Sequence, residues 1–209
     1  MIIVVDGTGP DADADYEREM ANSFCKQIAR APGATYFRGP TMLGSEVKGI
    51  AAEATSDAVA LADAGKPIML AGYSRGGCTV INVALNLQRL GRDVAAMFLF
   101  DAVDMQASAI GLTQTIPANV AFVAHARTAR SAGFWLMNPN KSRWYFYNTG
   151  RYLAGNGTYE ERKFIGTHGA AGGVPWDDVD GEGACAAAVA DWMSPFLQAR
   201  SLAGIALMR

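Results

Sequence analysis

At 209 residues the chain is long enough to bury a substantial core and suits one domain spanning 1–209. Half of it is apolar, 18% is charged and the net charge is -2, which leaves no broad basic field to hold nucleic acid. Cys25, Cys78 and Cys185 are odd in number and widely spaced, with no CxxC pair and no zinc spacing, and read as reduced, mostly buried thiols. The apolar run Ile2 to Val5 is too short for a secretory signal, and no stretch approaches the roughly 18 apolar residues of a membrane span. The expectation is a soluble, cytoplasmic protein.

In chain order, the first strand expected is Ile2 to Val5, running into the loop Asp6-Gly7-Thr8-Gly9. The acidic series Asp11, Asp13, Asp15 and Glu17 follows as a solvated loop and helix start, where the helix dipole favours negative charge. A helix is predicted over Asp15 to Arg30, with Met20, Phe24 and Ile28 on one face. Strand Thr35 to Arg38 and an alanine-rich helix, Glu46 to Ala64, come next. Strand Ile68 to Ala71 then leads through Gly72-Tyr73-Ser74-Arg75-Gly76 into a helix over Gly77 to Leu90. Strands are expected at Ala95 to Phe100, Val120 to Ala124 and Lys163 to Ile165, and a last helix at Ala184 to Arg200, where Pro195 predicts a kink or an early break.

One loop-rich stretch, at about 128–160, breaks the rhythm. Its aromatic residues Phe134, Trp135, Trp144, Tyr145, Phe146 and Tyr147 suit an acyl pocket, a small lid or an inserted hairpin, with a candidate strand over Arg143 to Asn148. The alternation elsewhere predicts an α/β fold, a mostly parallel sheet of about six strands flanked by helices.

Two glycines around Ser74, between a buried strand and a helix, have a geometric purpose. They allow a nucleophile elbow, a sharp turn that lifts the serine hydroxyl to the top of a parallel sheet, as in the α/β-hydrolase fold. A serine hydroxyl needs a base, and the chain has two histidines. His168 follows the last predicted strand, where functional loops gather, and completes the order Ser, acid, His. His125 is left as a group supporting the site, touching substrate, or packing as a structural histidine. Asp101, at a strand end, is the acid; Asp104 is the alternative, or a cap of the next segment. Asp177, Asp178 and Asp180 follow the histidine and read as a solvated loop. The oxyanion hole is assigned to the amides of Arg75, Gly7 and Thr8, with Asp6 bracing that loop. Tyr73, beside the serine, joins His125 and Asp104 among residues near substrate or behind the triad.

Other readings of the N-terminus fail on chemistry. An Asp-x-Asp phosphatase needs a nucleophile where Val4 stands. A dinucleotide loop Gly7-x-Gly9-x-x-Ala12 would set Pro10 and a run of carboxylates against a pyrophosphate.

The ordered motifs "VVDGTG", "GYSRGG", "FLFDAVD", "HARTAR" and "FIGTHGAAGG" resemble an α/β-hydrolase family that includes the type VI secretion phospholipase effectors. The resemblance spans nearly the whole chain. It implies Ser74 as nucleophile, Asp101 as acid and His168 as base, with the acid one strand earlier than in the usual α/β hydrolase. Tyr73, Gly77 and Ala102 depart from the family's commoner phenylalanine, alanine and threonine and leave these three positions intact. The expected chemistry is cleavage of a small carboxylic ester or lipid by an acyl-enzyme route, with no metal or organic cofactor. The rivals are thioester or amide cleavage, and a hydrolase fold used only for binding.

Overall fold

Strands β1 (Ile2–Val5), β3 (Met69–Tyr73) and β4 (Ala96–Phe100) are buried at every position, as central strands covered on both faces must be. The computed structural model describes residues 1–105, 113–129, 146–200 and 207–208. Between β1 and β3 run α1 (Asp13–Glu19), α2 (Phe24–Ile28), β2 (Thr35–Phe37) and α3 (Val47–Asp63). Between β3 and β4 lies α4 (Arg75–Arg89). After β4 come β5 (Val103–Met105), β6 (Thr115–Ile116), β7 (Phe122–Ala129), β8 (Phe146–Asn148), β9 (Tyr152–Leu153) and β10 (Thr158–Ile165). The short α5 (His168–Gly172) and the long α6 (Glu182–Gln198) complete the described elements.

Six strands form one sheet in the order β10-β7-β4-β3-β1-β2, every pair parallel. Period-two alternation divides the strand side chains between two cores. Ile2, Val4, Phe98 and Phe100 pack with α2 and α6 through Phe24, Ile28, Val189 and Met193. Ile3, Val5, Met97 and Leu99 pack with α3 and α4 through Ala54, Ala58, Ile81 and Leu87. The result is the predicted α/β architecture. Among the described residues, no helix is long and apolar enough to cross a membrane.

Several boundaries differ from expectation, each for a local reason. The helix expected over Asp15 to Arg30 is two helices, because the Ser23 hydroxyl accepts from the Lys26 amide at 2.9 Å and caps α2 afresh. Met20, Phe24 and Ile28 are nonetheless all buried. Strand β10 starts five residues early, at Thr158; as an edge strand of polar residues it shows no apolar run. Strand β7 continues to Ala129, so His125 lies inside a strand and not after one. Helix α6 runs through Pro195 to Gln198 without the predicted break. Of the aromatic stretch, Phe146 and Tyr147 fall in β8, which pairs antiparallel with β5; Phe134, Trp135, Trp144 and Tyr145 lie outside the described residues.

Close approach of β1, β3 and α4 requires Gly76, where a Cβ would run into the carbonyl oxygens of Val5 and Asp6. Gly76→Ala should therefore destabilise the protein by about 2 kcal/mol or more in urea unfolding. Gly49, in α3 with open space around it, is the control: Gly49→Ala should stabilise by about 0.5–1 kcal/mol. Equal effects at the two positions would refute the packing account.

Candidate active site

Strand β3 ends at Tyr73 and α4 begins at Arg75, so Ser74 alone makes the turn, at φ 56° and ψ -126°. Gly72 lets the helix start close on the strand; a Cβ there would lie 2.6 Å from the Gly76 carbonyl oxygen. The Ser74 amide donates to the Phe100 carbonyl at 3.1 Å, and its own carbonyl accepts from Gly77 and Val103, each at 3.0 Å. One strand over, Asp101 ends β4 with φ 41°. Among the described residues, these two are the only non-glycine positions with positive φ. Strain of this kind persists where surrounding structure over-determines it.

His168 opens α5, and Thr167 caps that helix by accepting from Ala170. Buried Glu182 secures the cap, taking the Thr167 amide at 2.8 Å and also its hydroxyl. Tyr73 donates its hydroxyl to the His168 carbonyl at 3.1 Å, and the two rings lie 5.1 Å apart. These contacts bring the imidazole between serine and aspartate. His168 Nε2 is 2.8 Å from Ser74 Oγ, and Nδ1 is 2.8 Å from Asp101 Oδ2. Because a carboxylate only accepts, Nδ1 carries the proton and Nε2 is left to accept from the serine. Thr128 completes the aspartate's environment, donating its hydroxyl at 2.8 Å and its amide at 3.2 Å. Ser74 and His168 are 5% and 9% exposed.

The alternative acid is placed differently. Asp104 lies in β5, buried, where its charge acts on Arg75 and Cys78. Burial pushes the Cys78 thiol well up, which suits a packed core residue.

The loop after β1 lies directly against the elbow: a methyl group on Gly7 would sit 3.2 Å from the Ser74 Cβ. The Gly7 amide, assigned to the oxyanion hole from the sequence, donates to Asp6 Oδ1 at 2.8 Å. The Thr8 amide carries no such bond. Asp6 is fully buried and also accepts from the hydroxyls of Ser23 and Tyr36. Burial pushes its pKa up to about 6, against the pull of those donors. Tyr16 clamps the same loop, donating to the Gly7 carbonyl at 2.9 Å and accepting from the Gly39 amide at 2.6 Å. The Arg75 guanidinium donates to the carbonyls of Thr41 and Met42 at 3.0 Å, tying the loop after β2 to the elbow.

His125 is fully buried. Its Nε2 accepts from the Ala102 amide at 3.1 Å, and Nδ1 faces the Gly150 carbonyl at 3.1 Å. It fixes the backbone immediately after Asp101. Burial, then the Arg127 charge, holds its pKa down at about 4. Thr128, Glu182 and Tyr16 are the supporting residues that the sequence did not mark.

Asp6 and His125 oppose each other in acid. The folded pKa of His125, about 4, lies below the ordinary 6.5, so the unfolded chain takes the proton first and stability falls between pH 6.5 and 4. The folded pKa of Asp6, about 6, lies above the ordinary 3.8, so the folded chain takes the proton first and stability rises across that window. Each effect amounts to about 3 kcal/mol. Asp6→Asn should remove the compensation, so urea unfolding of the variant should lose stability more steeply than wild type from pH 6.5 to 4. Parallel curves would overturn this assignment.

A search of curated proteins finds no match. Among solved structures, human thioesterase 2 is 10% identical with a TM-score of 0.46, covering 97% of this chain and 99% of that one. The RedJ thioesterase of the prodiginine pathway in Streptomyces coelicolor is 14% identical with a TM-score of 0.38, covering 83% and 81%. The surfactin-cyclising thioesterase domain SrfTE is 14% identical with a TM-score of 0.40, covering 80% and 83%. None of these comparisons links the chain to type VI secretion phospholipases. The family model of the thioesterase domain matches residues 18–125, from within α1 to His125 in β7. That is half of the chain, and the chain belongs to the thioesterase-domain family, an α/β-hydrolase-like family.

Proposed function

We propose that the protein is a serine thioesterase, hydrolysing an acyl thioester through an acyl-enzyme on Ser74. One observation carries the reading: Ser74, His168 and Asp101 form a hydrogen-bonded run, 2.8 Å at each link, on a serine of positive φ. Membership of the thioesterase-domain family directs it to thioesters.

Ser74 Oγ attacks the thioester carbon while His168 Nε2 takes its proton and Asp101 stabilises the imidazolium. The carbonyl π pair moves to oxygen, where the amides of Arg75 and Thr8 receive it. Collapse of the adduct breaks the C–S bond, and the proton on Nε2 passes to the departing sulfur. Water, deprotonated by His168, then attacks the acyl-serine ester, releasing a carboxylic acid and restoring Ser74. These steps use this chain's residues and water alone. An apolar acyl group is supported by Met42 and Leu43, 56% and 79% exposed on the loop that Arg75 holds beside the elbow.

Carboxylic esters suit the same machinery, but an alkoxide must be protonated as it leaves, whereas a thiolate leaves readily. Hydrolysis of an acyl-N-acetylcysteamine thioester should therefore exceed that of the oxygen ester carrying the same acyl group. The reverse order would make the protein a carboxylic ester hydrolase. Ser74→Ala should abolish stoichiometric fluorophosphonate labelling, and Asp101→Asn should lower kcat by about 10³- to 10⁴-fold. Asp104→Asn should retain most activity; loss there, with Asp101→Asn active, would move the acid.

A further inference from the structure

We infer that the Thr8 hydroxyl is a catalytic oxyanion donor, acting beside the backbone amides. The inference rests on the thioesterase reading and adds a side chain to it. β1 delivers Asp6-Gly7-Thr8-Gly9 against Ser74, and the polar groups of this turn can be followed one by one. The Asp6 amide donates to the Phe37 carbonyl at 3.1 Å, and the Gly9 amide to the Pro40 carbonyl at 3.3 Å. The Gly7 amide is taken by Asp6 and the Gly7 carbonyl by Tyr16. Among the amides of the turn, that of Thr8 remains. The Thr8 Oγ1 is shut off from solvent and has no hydrogen-bond partner among the described residues.

A buried hydroxyl without a partner is costly, because its desolvation is not returned. Valine would fill the same space without that cost, so packing gives no reason for threonine here. Catalysis gives one. An anionic oxygen develops on the carbon bonded to Ser74 Oγ, next to this loop, and it is the acceptor the hydroxyl lacks among the described residues. The Thr8 proton stays on its oxygen throughout. The O–H donates a hydrogen bond as the carbonyl π pair moves onto oxygen, and no covalent bond to Thr8 forms or breaks. Because the acceptor appears only in the tetrahedral adduct, the interaction favours the transition state over the bound thioester.

Thr8→Val and Thr8→Ser test this with an acyl-N-acetylcysteamine thioester. The valine variant should lose about 100-fold in kcat at unchanged KM, while its urea midpoint stays the same or rises. The serine variant, which keeps the hydroxyl, should recover most of the rate. Affinity for a trifluoromethyl ketone that adds to Ser74 should fall in the valine variant by the same factor as kcat. Wild-type kcat in Thr8→Val would overturn the inference, and so would a loss of rate matched by a loss of stability, which would make the hydroxyl a structural tie. If the wild-type protein neither hydrolyses thioesters nor takes a fluorophosphonate on Ser74, the thioesterase reading falls too. An active, labelled wild type with an undamaged Thr8→Val removes Thr8 alone.

Discussion

Two adjacent strand ends hold a backbone conformation that L-residues avoid, and the candidate site is organised around keeping them there. Ser74 and Asp101, at φ 56° and 41°, each carry about 1–3 kcal/mol of strain. Neither is held by its own strand alone. The Ser74 amide bonds to the end of β4, the Asp101 amide bonds to Ala126 in β7, and the Ser74 carbonyl takes the Val103 amide from the chain beyond Asp101. The strain is thus shared across three neighbouring strands whose side chains fill both cores. An elbow in one isolated strand and helix would relax; here relaxation must disturb β3, β4 and β7 together.

Two fully buried titratable groups extend the same logic away from the reacting atoms. Asp6 gathers three donors and so sets the turn carrying Thr8. His125 spends one ring nitrogen on the Ala102 amide and so sets the backbone after the acid. Near neutral pH Asp6 is ionised and His125 uncharged, the states in which the carboxylate accepts and Nε2 keeps its lone pair. Burial drives both pKa values toward the neutral form, and hydrogen bonds resist this at Asp6. The positions of the Thr8 turn and of Asp101 therefore depend on protonation states that sequence alone cannot assign.

What could be read in advance follows from how local each signal is. The central strands β1, β3 and β4 are short apolar runs bounded by glycine or aspartate, and the elbow lies between strand and helix within five residues. With two histidines in the chain, the choice of base was narrow. Less local features were lost. Edge strand β10 has polar residues along most of its length, so no periodicity marks it. The Ser23 hydroxyl that caps α2 also donates to Asp6, seventeen residues away, a contact no local pattern marks. The commitment of the Gly7 amide to Asp6 is a rotamer choice, invisible as a pattern. Thr128 and Glu182 act through contacts 27 and 15 residues distant in the chain, and a threonine or glutamate carries no mark of such a partner.

The position of Asp101 at the end of β4 sets a demand on His168. His168 follows β10, which is three strands from β3 in the sheet order, a span of about 14 Å at ordinary strand spacing. The chain must therefore carry the imidazole back across the ends of β7 and β4 before it can meet Ser74. It does so through Gly166, the Thr167 cap and α5, with Glu182 holding the cap from behind and Tyr73 holding the His168 carbonyl from the front. Tyr73 immediately precedes Ser74, so His168 and Ser74 are positioned by the same strand. Gly172 keeps the pair in contact, since a Cβ there would run into the Tyr73 ring. The phenol of Tyr73 thus registers an imidazole supplied from the edge of the sheet against its centre.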